Sequence, residues 1–176
     1  MWIEKCSFET GDDCIAVNSG MNEDGWRVNR PCTDVSIVNC TMSGGHGAIV
    51  IGSGMSGGIE NIYAADCRIK NTMQGLRIKS MRGRGGFIRN IFFENIEVRD
   101  VSEEAIQVSM FYPYSTVEPI NSVPPIFEEI TIRNIWGSAH KQSCVLRGLA
   151  DSPIKKLVLQ NIDIKAMEED IIEYVE

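Results

Sequence analysis

Apolar positions along this chain come in short runs, not in helical stripes, and the runs repeat. One six-residue pattern returns as Ile3-Glu-Lys-Cys-Ser-Phe8, Ile37-Val-Asn-Cys-Thr-Met42, Ala64-Ala-Asp-Cys-Arg-Ile69, Phe93-Glu-Asn-Ile-Glu-Val98, Ile132-Arg-Asn-Ile-Trp-Gly137 and Leu159-Gln-Asn-Ile-Asp-Ile164. Its third position (Lys5, Asn39, Asp66, Asn95, Asn134, Asn161) advances by 34, 27, 29, 39 and 27 residues. About eight or nine residues after each comes a second run: Cys14–Val17, Ala48–Ile51, Gly75–Ile78, Ala105–Val108 and, less regularly, Cys144–Arg147. A fixed internal period of this kind marks a repeat architecture. Strands of three to five residues, rich in Val and Ile, with a period near 28, predict an all-β fold, a right-handed parallel β-helix of about six coils forming a single domain over residues 1–176.

Stacked coils lie about 4.8 Å apart, and alternate strand residues point in or out. The second run then has two inward columns, Ile15, Ile49, Leu76, Ile106 and Val17, Ile51, Ile78, Val108, all aliphatic. In the first run Cys6, Cys40 and Cys67 share a column with Ile96, Ile135 and Ile162, so these cysteines read as core fillers. Asn39, Asn95, Asn134 and Asn161 read as turn residues whose amides bond the backbone. The stretches 20–32 and 110–126, which hold Trp26, Pro31, Pro113, Pro119, Pro124 and Pro125, read as loops beside a groove. Residues 166–176 read as a last strand or a short amphipathic helix.

Composition narrows the partners. With 24 acidic against 17 basic residues the net charge is −7, which argues against a nucleic-acid or anionic-membrane binder. No run is apolar enough for a spanning helix, and the first residues lack signal-peptide architecture. Six cysteines without a C-x-x-C pair exclude a disulfide scaffold and predict no metal site. No cofactor is expected.

The polar residues that packing leaves over fall on one outward face. Asp12 aligns with His46 in the next coil, Arg77 with Ala16 and Val50, and Lys79 with Asn18 and Gly52. Asp13 has the opposite parity, and Gly11 is expected to bend the chain so that both carboxylates reach the groove. From Cys67 to Phe93 there is no acid among seven cations. Of these, Arg68, Lys70 and Arg89 read as a solvated edge, whereas Arg77 and Lys79 suit an anionic ligand. Glu103, Glu104 and His140 read as solvated surface groups. Paired carboxylates beside cations fit hydrolysis of an acidic polysaccharide, in which one carboxyl protonates the glycosidic oxygen and another activates water. The acid would need a raised pKa, which its neighbour's charge could supply.

Thr10-Gly-Asp-Asp-Cys14, Gly45-His-Gly47 and Arg77-Ile-Lys79, followed or preceded by Ile51-Gly-Ser53 and Gly75-Leu76, resemble three signature motifs of the polygalacturonases, family 28 of the glycoside hydrolases. The resemblance implies inverting hydrolysis of α-linked galacturonic acid in pectin without a metal. It implies Asp12 as general acid, Asp13 as a residue positioning water, and His46 as the group that sets the acid's protonation. Arg77 and Lys79 would bind the substrate carboxylate, and Tyr112 is the nearest match to a sugar-contacting tyrosine. The family's Asn-Thr-Asp motif, expected one coil upstream of Asp12, is missing. The chain therefore reads as the C-terminal part of a longer pectinase helix, whose open first coil, with Trp2, Ile3 and Phe8, invites self-association. Such enzymes are commonly secreted or periplasmic. The competing readings are a non-catalytic carbohydrate-binding β-helix or inactive remnant, and a calcium-dependent pectate lyase.

Overall fold

The computed structural model describes residues 1–112 and 122–176. Pro113, Tyr114 and Pro119 of the expected proline-rich loop lie outside the described residues. The strands are β1 (Trp2–Glu4), β2 (Ser7–Thr10), β3 (Ile15–Val17), β4 (Cys32–Val38), β5 (Thr41–Gly44), β6 (Gly47–Gly52), β7 (Ile59–Ala65), β8 (Arg68–Lys70), β9 (Gln74–Lys79), β10 (Phe87–Val101), β11 (Ile106–Ser109), β12 (Ile126–Ala139), β13 (Cys144–Arg147), β14 (Lys155–Lys165) and β15 (Ile171–Glu173). One short helix, α1 (Asn22–Val28), follows β3.

Every ladder between these strands is parallel, and each strand pairs with its equivalent one coil away. This is a parallel β-helix. The strands β3, β6, β9, β11, β13 and β15 form one six-stranded wall. The rest form a second wall that bends in the middle, so β7 pairs with the start of β10 and β8 with its end. Each coil thus presents three strand segments, where the apolar pattern suggested two. The extra bend falls at the third position of the repeat, inside what reads as one apolar run.

That bend has a local cause. Lys5, Asn39, Asp66, Asn95, Asn134 and Asn161 all adopt left-handed backbone, with φ between 53 and 55°. Asn and Asp tolerate this region better than other residues with a Cβ. The asparagine side chains do not bond the backbone as expected; from Asp66 to Asn161 the side chains of this corner bond one another along the stack. Asn161 Nδ2 donates to Asn134 Oδ1 at 2.9 Å, Asn134 to Asn95 at 2.9 Å, and Asn95 to Asp66 Oδ1 at 3.3 Å. A second left-handed corner carries Asp34, Asn61 and Asn90, joined in the same way.

The core runs up the inside of the stack. Ile49, Ile51, Leu76, Ile78, Ile106 and Val108 are all buried in the expected columns, with Ile49 opposite Leu76 and Ile51 opposite Ile78. Each such side chain contributes about 1.5–3 kcal/mol by leaving water. Cys40 and Cys67 are buried in line with Ile96 and Ile135, whereas Cys6, in the first coil, is exposed. The stretch expected to be a loop at 20–32 contains α1, with Glu23 and Asp24 in its first turn and Arg27 in its last, which suits the helix dipole. Trp26 anchors it by donating from Nε1 to the carbonyl of Arg84 at 2.9 Å. The chain ends in strand, β15, in place of the alternative helix.

Candidate active site

Three consecutive strands of the six-stranded wall deliver the charged residues. β9 carries Arg77 and Lys79 in register with Val50 and Gly52 of β6, and with Gln107 and Ser109 of β11. The turns that enter β3 and β6 bring Asp12, Asp13 and His46 to the same edge. Asp12, His46, Met73, Arg77, Lys79 and Tyr112 line one pocket of about 400 Å³. A hollow of about 520 Å³ lies elsewhere, among Thr41, Arg68, Lys70, Glu97 and Arg99. There Arg99 pairs with Glu97 and Arg68 is largely solvated, as a basic edge would be.

The glycines of Gly45-His46-Gly47 are required by contact. Gly45 has a φ of 73°, and a Cβ there would lie 2.1 Å from the carbonyl oxygen of Asp12. A Cβ on Gly47 would meet Val50 Cγ2 at 2.4 Å and Asp13 Oδ1 at 3.2 Å. His46 is therefore held tightly against the aspartate turn. Gly11 does not act as expected: its φ is not positive and a Cβ there would touch nothing within 4 Å. The turn is shaped instead by the Thr10 hydroxyl, which donates to the carbonyl of Asp12 at 2.5 Å.

The two carboxylates have different surroundings. Asp12 reaches outward, its side chain 82% exposed, with Oδ1 3.1 Å from His46 Nδ1. The Asp13 amide also donates to Asp12 Oδ1 at 2.7 Å. That backbone bond, with the neighbouring imidazole adding to it, lowers the Asp12 pKa from its ordinary value. The expected rise does not occur in the free site. A carboxylate accepts, so the imidazole donates from Nδ1. Asp13 turns away from the open groove, and its Oδ2 receives a hydrogen bond from Lys79 Nζ at 2.9 Å. Side-chain exposures of 9% for Lys79 and 13% for Asp13 make this a largely buried pair. The opposite parity of Asp13 is thus reconciled with its charge by Lys79, which in turn is not free. Asp13 Oδ1 is buried and has no hydrogen-bond partner among the described residues.

Arg77 is 6% exposed and donates from Nε to Gln107 Oε1 at 2.8 Å. The Tyr112 ring faces both cations, its centroid 5.7 Å from Arg77 Cζ and 5.1 Å from Lys79 Nζ. Phe111 takes a different role, with Arg147 stacked 4.5 Å over its ring. Glu103 pairs with Lys141, and Glu104 receives a hydrogen bond from Gln107. Met73 and Gln107 carry no motif, and nothing in the local sequence singles them out. Their columns could have found them, since Gln107 directly follows Arg77.

The family model for glycosyl hydrolases family 28 matches residues 1–176. The chain belongs to that family. Among its relatives, a probable polygalacturonase of Vitis vinifera is 27% identical over 163 residues, covering 92% of this chain and 33% of the relative. A polygalacturonase of Juniperus ashei is 29% identical over 168 residues, covering 93% of this chain and 31% of its own length. The crystal structure of a hyperthermoactive exopolygalacturonase from Thermotoga maritima superposes with a TM-score of 0.84 at 29% identity, covering 98% of this chain and 41% of that one. An exopolygalacturonase of Yersinia enterocolitica shares the fold, with a TM-score of 0.67 at 24% identity, over 94% of this chain and 36% of that one. The chain thus spans about a third of the length of these polygalacturonases. These relatives favour neither the lyase nor the non-catalytic alternative.

Proposed function

We propose that this chain carries one wall of a galacturonan-hydrolysing groove, as part of a longer pectinase helix. The observation that supports it is the convergence, in one pocket, of Asp12 hydrogen-bonded to His46 with two cations of the next coil. In this reading Asp12 protonates the leaving glycosidic oxygen. Its proton affinity must rise on binding, because a uronate in the pocket removes water from Asp12 and brings a further negative charge beside it. His46, donating to Asp12 Oδ1, holds the carboxyl toward the bond to be cut and responds to its protonation. Asp13, expected to position the attacking water, has its second oxygen sealed from the groove and instead holds Lys79 in place. Arg77 holds the sugar carboxylate, Lys79 assists through the N–H donors that its bond to Asp13 leaves over, and Tyr112 packs against the ring beside them.

The experiment is to incubate the full chain with polygalacturonate and follow both retention and new reducing ends. The expected result is binding of polygalacturonate but not of neutral galactan, with products of inverted anomeric configuration seen by NMR. Asp12→Asn should keep binding and lose turnover. Unsaturated products, or a folded chain that does not retain polygalacturonate, would overturn the proposal.

A further inference from the structure

Arg77 and Lys79 are two residues apart on β9 but hold their charges differently. Lys79 is matched by Asp13 at 2.9 Å. Arg77 forms no ion pair with any carboxylate among the described residues; its hydrogen-bond partner is the neutral amide of Gln107. Gln107 is in turn fixed from behind, because its Nε2 donates to Glu104 Oε2 at 3.3 Å. A carboxylate can only accept, so Glu104 draws the amide nitrogen toward itself and leaves the amide oxygen facing Arg77.

We propose that Gln107 is a positioning residue that aims Arg77 while leaving its charge unmatched, and that this makes the pocket select a sugar bearing a free carboxylate. The inference rests on the galacturonan reading above and adds the residue that enforces the selection. A guanidinium has five N–H donors in a planar fork. Tying Nε to an amide oxygen fixes the plane of the fork, yet the terminal nitrogens remain available for bidentate contact with a carboxylate. The choice of amide over acid matters, since the formal charges of Asp12, Asp13, Lys79 and Arg77 cancel. A glutamate at position 107 would orient the fork equally well but make the pocket net negative. Tyr112, facing Arg77 across the pocket, supports the fork without matching its charge either.

The test is calorimetric titration of the full chain, as wild type, Gln107→Glu and Gln107→Ala, with trigalacturonate and with its methyl ester. Wild type should prefer the acid. Gln107→Glu should bind the acid about tenfold more weakly, the scale of losing one charge-assisted contact, with little change for the ester. Gln107→Ala should weaken both ligands less and blunt the preference. A spectroscopic arm reports the positioning alone: the Arg77 Nε–H resonance should be protected from exchange in wild type and Gln107→Glu, and lost in Gln107→Ala. An unprotected resonance in wild type overturns the inference whatever the variants do. Full preference for the acid in a folded Gln107→Glu overturns it while leaving the galacturonan reading intact. Failure of wild type to bind either ligand overturns both.

Discussion

The Asp13–Lys79 pair offers a quantitative test of how the site is built. Replacing Lys79 with Met retains most of the side-chain volume but leaves the Asp13 carboxylate beside an apolar group, with one oxygen already lacking a partner. Removing one member of a buried ion pair costs about 3–5 kcal/mol when the remaining charge is sealed from water. Asp13 retains 13% exposure, which places the expected loss near the lower bound, about 3 kcal/mol. In a chain of this size that corresponds to a fall in Tm of roughly 6–12 °C. Asp13→Asn should lose less, about 2 kcal/mol, because the amide can still accept from Lys79. The informative measurement is the double-mutant cycle by urea denaturation. The double variant should be more stable than the sum of the single losses implies, by about 1–2 kcal/mol of coupling. Additivity within about 0.5 kcal/mol would show that the two side chains do not act as a pair, and the inward position of Asp13 would then have lost its electrostatic cause.

Gly45→Ala should lose binding of polygalacturonate and lower the Tm, because the new Cβ falls 2.1 Å from the Asp12 carbonyl oxygen, whereas Gly11→Ala should leave both within error. The Tyr63 hydroxyl donates to Glu94 Oε1 at 2.7 Å; this bond lowers the Glu94 pKa, with the Arg133 contacts adding to it, and the same bond together with burial pushes Tyr63 up to about 12. Since the Glu94 pKa is lower folded than unfolded, its contribution is present above the ordinary carboxylate range and disappears as pH falls through the folded value. Tyr63 contributes below about pH 10 and loses that contribution between about 10 and 12. Tyr63→Phe should flatten both flanks of a Tm-against-pH curve, and an unchanged alkaline flank would contradict the bond. At the corner, Asn134→Ala should cost about 2 kcal/mol in chemical denaturation, from left-handed strain and two lost side-chain bonds, while Asn134→Gly should recover the strain part.

The winding of the chain was legible because burial enforces it. Ile15, Ile49, Leu76 and Ile106 can share an interior column only if the coils stack in one register, and that register carries Arg77 and Lys79 outward with His46 beside them. What could not be read depends on backbone angles and on partners across coils. The left-handed residue within each repeat splits an apparently continuous run into two segments, and nothing in its hydrophobicity marks the bend. The helix Asn22–Val28 has no apolar face of its own to announce it; it is held by the Trp26 bond to Arg84. Parity alone set Asp13 inward as a liability, because the compensating Lys79 lies 66 positions away. Like-charge repulsion between Asp12 and Asp13 failed as a guide to acidity for the same reason: Lys79 matches one charge and a backbone amide stabilises the other.

The asparagine corners carry a consequence for how such a scaffold diversifies. From Asp66 to Asn161 each corner side chain is bonded to its equivalent in the next storey, so the corner is indifferent to how much polypeptide leaves and returns between them. Intervals as unlike as 27 and 39 residues join equivalent corners in this chain. Excursions bordering the cleft can therefore lengthen, shorten or be exchanged without altering the pitch of the spine, and preference for one sugar chain over another can drift while the charged wall keeps its spacing.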